Sequence, residues 1–184
     1  MRSVLKKFTA ILLSAMMAAS ASAVFAEGLH AEYTSLGVPN INSSWKTWMS
    51  WKCIESGYTP QGRFLSAWGW ADEEGFMRAA GERDLGIEDD YYLVALGSYY
   101  GSTIGTKYRI TLDTGRVFYA VLGDQKADCD TNWTHQYSPG NNDVVEFIVD
   151  VPTLNPNVKE YGTANVFMPL NGSVASVERI DFVY

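Results

Sequence analysis

Two carboxylates stand where an all-β chain could bring them into one groove. Asp124 follows an apolar run of β-type residues, 117–122, from which it is separated by Gly123. Glu146 lies inside a second β-type run, 144–149. Carboxyl groups at the mouth of a small barrel can protonate a glycosidic oxygen or stabilise the charged sugar that forms as the bond breaks. The pattern predicts a site that binds or cuts a sugar chain.

The segments that must position these acids have the pattern of short β-strands. Five runs have the apolar or alternating composition of strands: 91–96, 108–112, 117–122, 144–149 and 177–183. The sequence Asp-Thr-Gly at 113–115 predicts a tight turn, and Asp-Glu-Glu-Gly at 72–75 predicts another after the aromatic run 64–70. Short strands at regular spacing, with little room for helices after residue 90, are typical of a small barrel or sandwich. We therefore predict an all-β protein.

The first residues have the composition of a targeting segment. Arg2, Lys6 and Lys7 precede an uncharged apolar run, 8–23. The residues that follow, up to Ala26, are ones that a signal peptidase accepts before its cleavage site. No later run is apolar and long enough to span a bilayer. We expect a signal peptide over the first 26 residues and an extracellular, cell-wall-associated protein. A retained N-terminal anchor is the alternative.

The charge of the chain limits its partners. The full sequence contains 14 basic and 21 acidic residues, with a formal net charge of −7. Cleavage after Ala26 would remove three basic residues and no acidic residue, so the mature chain would be more acidic still. Such a chain repels nucleic acids and anionic lipid surfaces. We expect a monomer that meets a neutral glycan or a cationic partner, without nucleic acid and, after cleavage, without a membrane.

The residues after the targeting segment predict an N-terminal arm, 27–62. Its first part is polar and irregular, and Ser43-Ser44 has the composition of a helix cap. Four residues then follow at helical spacing: Trp45, Trp48, Met49 and Lys52. The tryptophans of this segment, Trp45, Trp48 and Trp51, could stack on sugars. The preferred interpretation is an amphipathic helix that closes one end of a barrel.

Few residues in the sequence could hold a metal ion. The chain has two cysteines, Cys53 and Cys129, and two histidines, His30 and His135, which is too few for a typical zinc site. A cysteine pair in an exported protein more often forms a disulfide than a metal site, and the sequence leaves this bridge open. Serine-hydrolase, phosphate-loop and cysteine–histidine motifs are absent from the sequence.

One stretch partly matches a calcium-binding loop. Asp128, Asp130 and Asn132 have the spacing with which such a loop begins. Trp133 replaces the required glycine, and Pro139 stands where the loop needs a glutamate. We therefore predict no metal and no cofactor.

The order of several motifs resembles a known family. The most specific are Ile-Gly-Thr-Lys at 104–107 and Ala-Val-Leu-Gly-Asp at 120–124, and weaker ones lie at 65–68, 94–97 and 145–148. Together they resemble the 3D domain, a double-psi β-barrel family related to the barrel of lytic transglycosylase A and to expansins. The chain is also similar to secreted proteins of Gram-positive bacteria. The resemblance implies a six-stranded double-psi β-barrel over 63–184, with a short helical or irregular N-terminal extension.

The resemblance also implies roles for the acids. Of the three aspartates that name the family, the second matches Asp124, the third matches Glu146 and the first falls on Gly97. Lytic-transglycosylase-like cleavage of peptidoglycan would use Asp124 to protonate the glycosidic oxygen and then to accept the proton of the sugar 6-hydroxyl. Glu146 would hold the substrate or stabilise positive charge. Glycoside hydrolysis would instead need two carboxyl groups at a defined separation.

Aromatic and polar residues near the two acids are candidate substrate contacts. They are Tyr99, Tyr100, Lys126, Trp133, His135 and Tyr137. Lys126 could alternatively pair with Asp124 and lower the pKa of that carboxyl, and His135 could orient a carboxylate. Two other functions stay open: a non-catalytic, expansin-like module that binds glycan through aromatic faces, and a scaffold for protein interaction, for which the acidic surface would suit a basic partner.

Overall fold

The computed structural model describes residues 28–54 and 69–184. These residues form nine strands: β1 (His30–Leu36), β2 (Thr47–Ser50), β3 (Trp70–Ala71), β4 (Met77–Ala79), β5 (Tyr91–Leu96), β6 (Lys107–Leu112), β7 (Val117–Gln125), β8 (Glu146–Val149) and β9 (Val174–Val183). One α-helix, α1 (Pro156–Tyr161), and several single 3₁₀ turns connect them. The predicted signal peptide, 1–26, and the predicted first barrel strand, 65–68, lie outside the described residues.

All nine strands belong to one sheet. Its order is β1-β9-β6-β7-β5-β4-β3, and β8 pairs with β5 on one side and with β2 on the other. Two pairings are parallel, β5 with β7 and β2 with β8, while the remaining pairings are antiparallel. The prediction of an all-β protein is confirmed. In the described part of the chain, no helix is long and apolar enough to cross a membrane.

The central strand is β5, and its composition explains its position. All six residues of Tyr91–Leu96 are buried, as expected for a strand that is covered on both faces. In β6, buried and partly exposed residues alternate, and the turn predicted at 113–115 joins this strand to β7. Gly115 adopts a φ of 81° in that turn, which is a conformation that glycine reaches without steric cost.

Each face of the sheet carries its own hydrophobic core. One face holds an aromatic cluster in which Phe147 packs against Phe76, Tyr92 and Phe118, with ring centroids 5.3 to 5.7 Å apart. The opposite face holds a smaller, mostly aliphatic core: Ile54, Met77, Ile87, Tyr91, Leu93, Val121, Ile148 and Ile180. Consecutive residues of a strand point to opposite faces, so β5, β7 and β8 contribute to both cores.

The N-terminal segment differs from its prediction. The residues expected to form a capped helix instead form β2 and a 3₁₀ turn, Trp51–Cys53, and residues expected to be irregular form β1. Thr47 and Trp48 pair in parallel with Glu146 and Phe147 of β8, and the Trp48 indole donates a hydrogen bond to the Val158 carbonyl over 3.2 Å. Pairing with a distant strand therefore overrides the local helical spacing.

A buried lysine fixes the chain just before β2. Lys46 is 0% exposed, and its ammonium donates hydrogen bonds to the carbonyl oxygens of Ser44 and Gly172 and to the side chain of Asn165. Three acceptors compensate for removing the charge from water. The start of β2 is thereby tied to the segment that leads into β9.

Candidate functional site

A groove with a volume of about 680 Å³ opens at the end of β5. Both of the predicted acids, Asp124 and Glu146, line it. The other residues that line it come from β2 and the 3₁₀ turn after it, from the ends of β5 and β7, from the loop between β5 and β6, and from the loop between β7 and β8: Met49, Cys53, Ala95, Ser102, Gln125, Lys126, Ala127, Asp128, Cys129, Asp130 and Ser138. The sequence-based selection of the two acids thus identified neighbours in space.

The sheet register explains how the two acids come together. Ala95 of β5 lies opposite Asp124 of β7 on one side and opposite Glu146 of β8 on the other. Residues directly opposite one another on paired strands project from the same face of a sheet. Because the two outer strands are about 10 Å apart, the small Ala95 side chain leaves open space between the acids. Thr47 extends the same row into β2 by pairing with Glu146.

A β-bulge determines the face on which Asp124 lies. Val94 pairs with Leu122 and Ala95 pairs with Asp124, so Gly123 is an extra residue in β7. If Gly123 were instead paired in regular register, strand alternation would place Asp124 on the face of Leu122, which belongs to the aromatic core. Glycine suits this position because a Cβ atom there would lie 2.6 Å from Cδ1 of Ile148. The bulge therefore turns Asp124 toward Glu146.

Glu146 has the properties of a proton donor. Burial raises the pKa of this carboxyl above its ordinary 4.5, the negative charges of Asp143 and Asp124 raise it further, and the positive charge of Lys126 opposes them. A carboxyl group that keeps its proton at higher pH can give it to a substrate oxygen. Asp124 lies at the same groove, and its Oδ1 accepts a hydrogen bond from the Gln125 backbone amide over 2.9 Å.

Lys126, which was predicted to contact substrate or to pair with Asp124, forms a buried ion pair with Asp143 at the groove. The residue is 6% exposed, and its ammonium lies 2.9 Å from Oδ2 of Asp143. The same ammonium donates hydrogen bonds to the Asp143 carbonyl over 2.8 Å and to Oγ of Ser138 over 3.3 Å. These contacts make Lys126 a structural cation at the base of the groove. Asp143, which the sequence analysis did not select, is its partner.

The predicted aromatic contacts divide into buried and exposed residues. Tyr100 is 2% exposed and belongs to the aromatic core, so its ring is not a surface for stacking a ligand. Tyr137 is partly buried and packs against the same core. Tyr99 is 46% exposed and Trp133 is 90% exposed. Of the four rings, Trp133 and Tyr99 retain the exposure that a sugar would need.

The loop after β7, residues 126–143, has its own internal order. Oδ1 of Asn132 accepts hydrogen bonds from the backbone amides of Gln136 and Tyr137. The His135 imidazole lies 3.6 Å from the Asp128 carboxylate and within hydrogen-bond distance of the Thr131 hydroxyl. His135 and Asn132 thus shape the loop. Among the described residues, no group of acids, histidines and cysteines is arranged to hold a metal ion.

The same loop lies close to Gly97 of the segment that follows β5. A Cβ atom at Gly97 would lie 2.0 Å from the backbone oxygen of His135. The Tyr99 amide also donates a hydrogen bond to this oxygen over 3.3 Å. The 126–143 loop therefore occupies the place into which a side chain at position 97 would extend.

Two thiols lie at the groove, which the sequence alone did not indicate. Cys53 follows β2 and Cys129 lies in the 3₁₀ turn Asp128–Asp130, and both line the groove. Both are free and exposed. The sequence did not decide whether these two cysteines form a disulfide. In the structure they do not, and both thiols are accessible at the margin of the site.

Comparisons with known proteins give no relative to this chain. No family model matches it, and no curated protein and no solved structure matches it either.

Proposed function

We propose that the protein acts on cell-wall glycan and cleaves peptidoglycan in the manner of a lytic transglycosylase, in the groove that holds Asp124 and Glu146. One observation carries this proposal: the two carboxyl groups flank Ala95 on one face of the sheet, at the margin of a groove of about 680 Å³. A glycan chain that lies in the groove passes between them.

In this proposal the two acids exchange the roles that the sequence suggested. Glu146 is the acid and base, because burial and neighbouring negative charges raise its pKa. Its proton passes to the glycosidic oxygen while the bond from that oxygen to the sugar carbon breaks. Asp124 faces the positive charge that develops on the sugar. The Glu146 carboxylate then accepts the proton of the 6-hydroxyl, whose oxygen bonds to the same carbon and forms an anhydro ring.

The finer fold assignment belongs to the same proposal. We assign the sheet to the double-psi β-barrel type, in line with the 104–107 and 120–124 motifs. Support comes from two parallel pairs, β5 with β7 and β2 with β8, within an otherwise antiparallel sheet. The proposed function also places the protein outside the cell, at the cell wall, as a monomer.

A glycan-binding module without catalysis is the second candidate, and one surface feature favours it. Trp133 is 90% exposed on the 126–143 loop, so its indole ring is available to stack on a sugar. In a pull-down with insoluble peptidoglycan, Trp133→Ala should bind less glycan if stacking contributes. Tyr161→Ala, which removes another exposed ring from α1, is the matched control.

Digestion of purified peptidoglycan tests the proposal directly. The protein without residues 1–26 is incubated with the glycan, and soluble products are identified by mass spectrometry. Products with anhydro-sugar ends support the proposed reaction, while ordinary reducing ends would indicate hydrolysis. If the protein binds the glycan but releases no product, the glycan-binding module without catalysis becomes the better account. If the protein neither binds nor cuts the glycan, the cell-wall proposal fails and the role of a scaffold for another protein becomes the better account.

A further inference from the structure

A buried ion pair lies directly beside the proposed catalytic pair. The side chains of Lys126 and Asp143 are each 3% exposed, and their charged atoms are 2.9 Å apart. Oδ1 of Asp143 is buried and has no hydrogen-bond partner in the described part of the chain. Burying two charges with an incompletely satisfied carboxylate gives little net stability, since apolar residues of similar volume often serve a fold equally well. The pair therefore calls for a role other than stability.

The position of the ion pair in the chain suggests that role. Lys126 comes two residues after Asp124, and Asp143 comes three residues before Glu146. β7 and β8 lie on opposite sides of β5 and do not pair with one another. The ion pair thus connects the continuation of β7 with the segment that leads into β8, across the end of the strand between them.

Two further hydrogen bonds fix this connection to the sheet. The Lys126 amide donates to the Leu96 carbonyl over 2.9 Å, which holds the continuation of β7 against the last residue of β5. The Thr47 hydroxyl donates to Oδ2 of Asp143, and Thr47 itself pairs with Glu146. A movement of either charged residue would therefore be passed to the strand that carries one of the two acids.

We propose that Lys126 and Asp143 are positioning residues whose ion pair sets the separation of Asp124 and Glu146. The two side chains are each 3% exposed and engage one another, and they adjoin the strands that carry the acids, so in this proposal they act through the acids. The catalytic meaning of this separation rests on the proposed function. The geometric claim does not, and it is testable without any glycan.

The electrostatic coupling between the acids measures their separation. With the carboxyl carbons labelled by ¹³C, the pKa of Glu146 is measured by NMR with Asp124 present and in Asp124→Asn. Removal of the Asp124 charge should lower the pKa of Glu146, because that charge raises it. Other titratable groups near Glu146 are Lys126, Asp143, Cys53, Asp128, Cys129 and Asp130, and they are the same in both proteins. The difference between the two pKa values is the coupling.

The same coupling is then measured in Lys126→Met/Asp143→Asn, which replaces the ion pair by an uncharged pair of similar size. The coupling should fall to less than about half of its wild-type value, because it weakens as two charges move apart. Lys126→Arg preserves the ion pair and should preserve the coupling. Thr47→Val removes only the hydroxyl that holds Asp143 and provides a milder variant, with a smaller reduction, if the double variant does not fold.

An unchanged coupling in both the double variant and Thr47→Val would overturn the proposal, since the acids would then keep their separation without the ion pair. This result is independent of peptidoglycan cleavage. If the coupling falls as expected but the wild-type protein cuts no glycan, the positioning role stands and the proposed reaction fails.

Discussion

Asp124 and Glu146 face the same residue, Ala95, from the two strands on either side of β5. The relationship depends on the bulge at Gly123: because Gly123 is left out of the strand pairing, Asp124 lies opposite Ala95 on the face of Glu146 and not on the face of the aromatic core. The side chain between the acids is a methyl group, which leaves room for a ligand. This arrangement brings two acids 22 positions apart in the chain to one groove.

The close approach of the 126–143 loop to Gly97 makes a prediction about stability. In Gly97→Ala, the added methyl group would lie 2.0 Å from the His135 oxygen, so the loop must move. We expect the free energy of unfolding to fall by more than about 1 kcal/mol, the usual scale of overpacking. Gly140→Ala is the control in the same loop, where a Cβ atom meets nothing within 4 Å. Equal urea midpoints for the two variants would show that the loop does not pack on Gly97.

The raised pKa of Glu146 predicts a change in stability with pH. The folded protein holds this proton more tightly than the unfolded chain, whose carboxyl titrates near 4.5. The stabilisation is complete below that value and is lost as pH rises through the folded pKa. Glu146→Gln has no such proton, so its unfolding free energy relative to wild type should increase between pH 4 and pH 7.

Urea unfolding of both proteins at several pH values checks this prediction. A difference in unfolding free energy that stays constant over that range, or that decreases toward pH 7, would show that the folded pKa of Glu146 is not raised. Glu146 would then lose the property that makes it the proposed proton donor.

The free thiols report on occupancy of the groove. Cys53 and Cys129 are exposed and line the groove together with both acids. We expect both to be alkylated in the native protein, and a bound glycan fragment to slow both reactions by covering the groove. Mass spectrometry follows the two rates, with a polysaccharide that the protein does not retain as the control. Unchanged rates in the presence of a fragment that does bind would place its site elsewhere.

Much of the fold follows from local sequence. The buried run Tyr91–Leu96, the alternating run of β6 and the Asp-Thr-Gly turn were predictable because hydrophobic periodicity and turn composition are local properties. β2 was not predictable in this way. Its tryptophans fit a helical period, and only the pairing with β8, about a hundred residues later, makes the segment a strand.

The candidate site was predictable in its acids but not in its arrangement. Asp124 and Glu146 could be selected because acids at or within β-type runs are conspicuous. The bulge at Gly123 depends on how β7 pairs with β5, and the burial of Tyr100 depends on packing across the sheet. The ion pair of Lys126 with Asp143 could not be predicted, because Asp143 is 17 positions away and is brought near by the folding of the loop.

Release of soluble products from peptidoglycan by wild type, Glu146→Gln and Asp124→Asn tests the central claim most directly. Wild type should release fragments with anhydro-sugar ends, and Glu146→Gln should be slower by about 100-fold or more, the usual contribution of a positioned acid and base. Asp124→Asn should also be slower, while both variants still bind the glycan. Release by Glu146→Gln at the wild-type rate would contradict the account, because the proposed proton donor would then be dispensable.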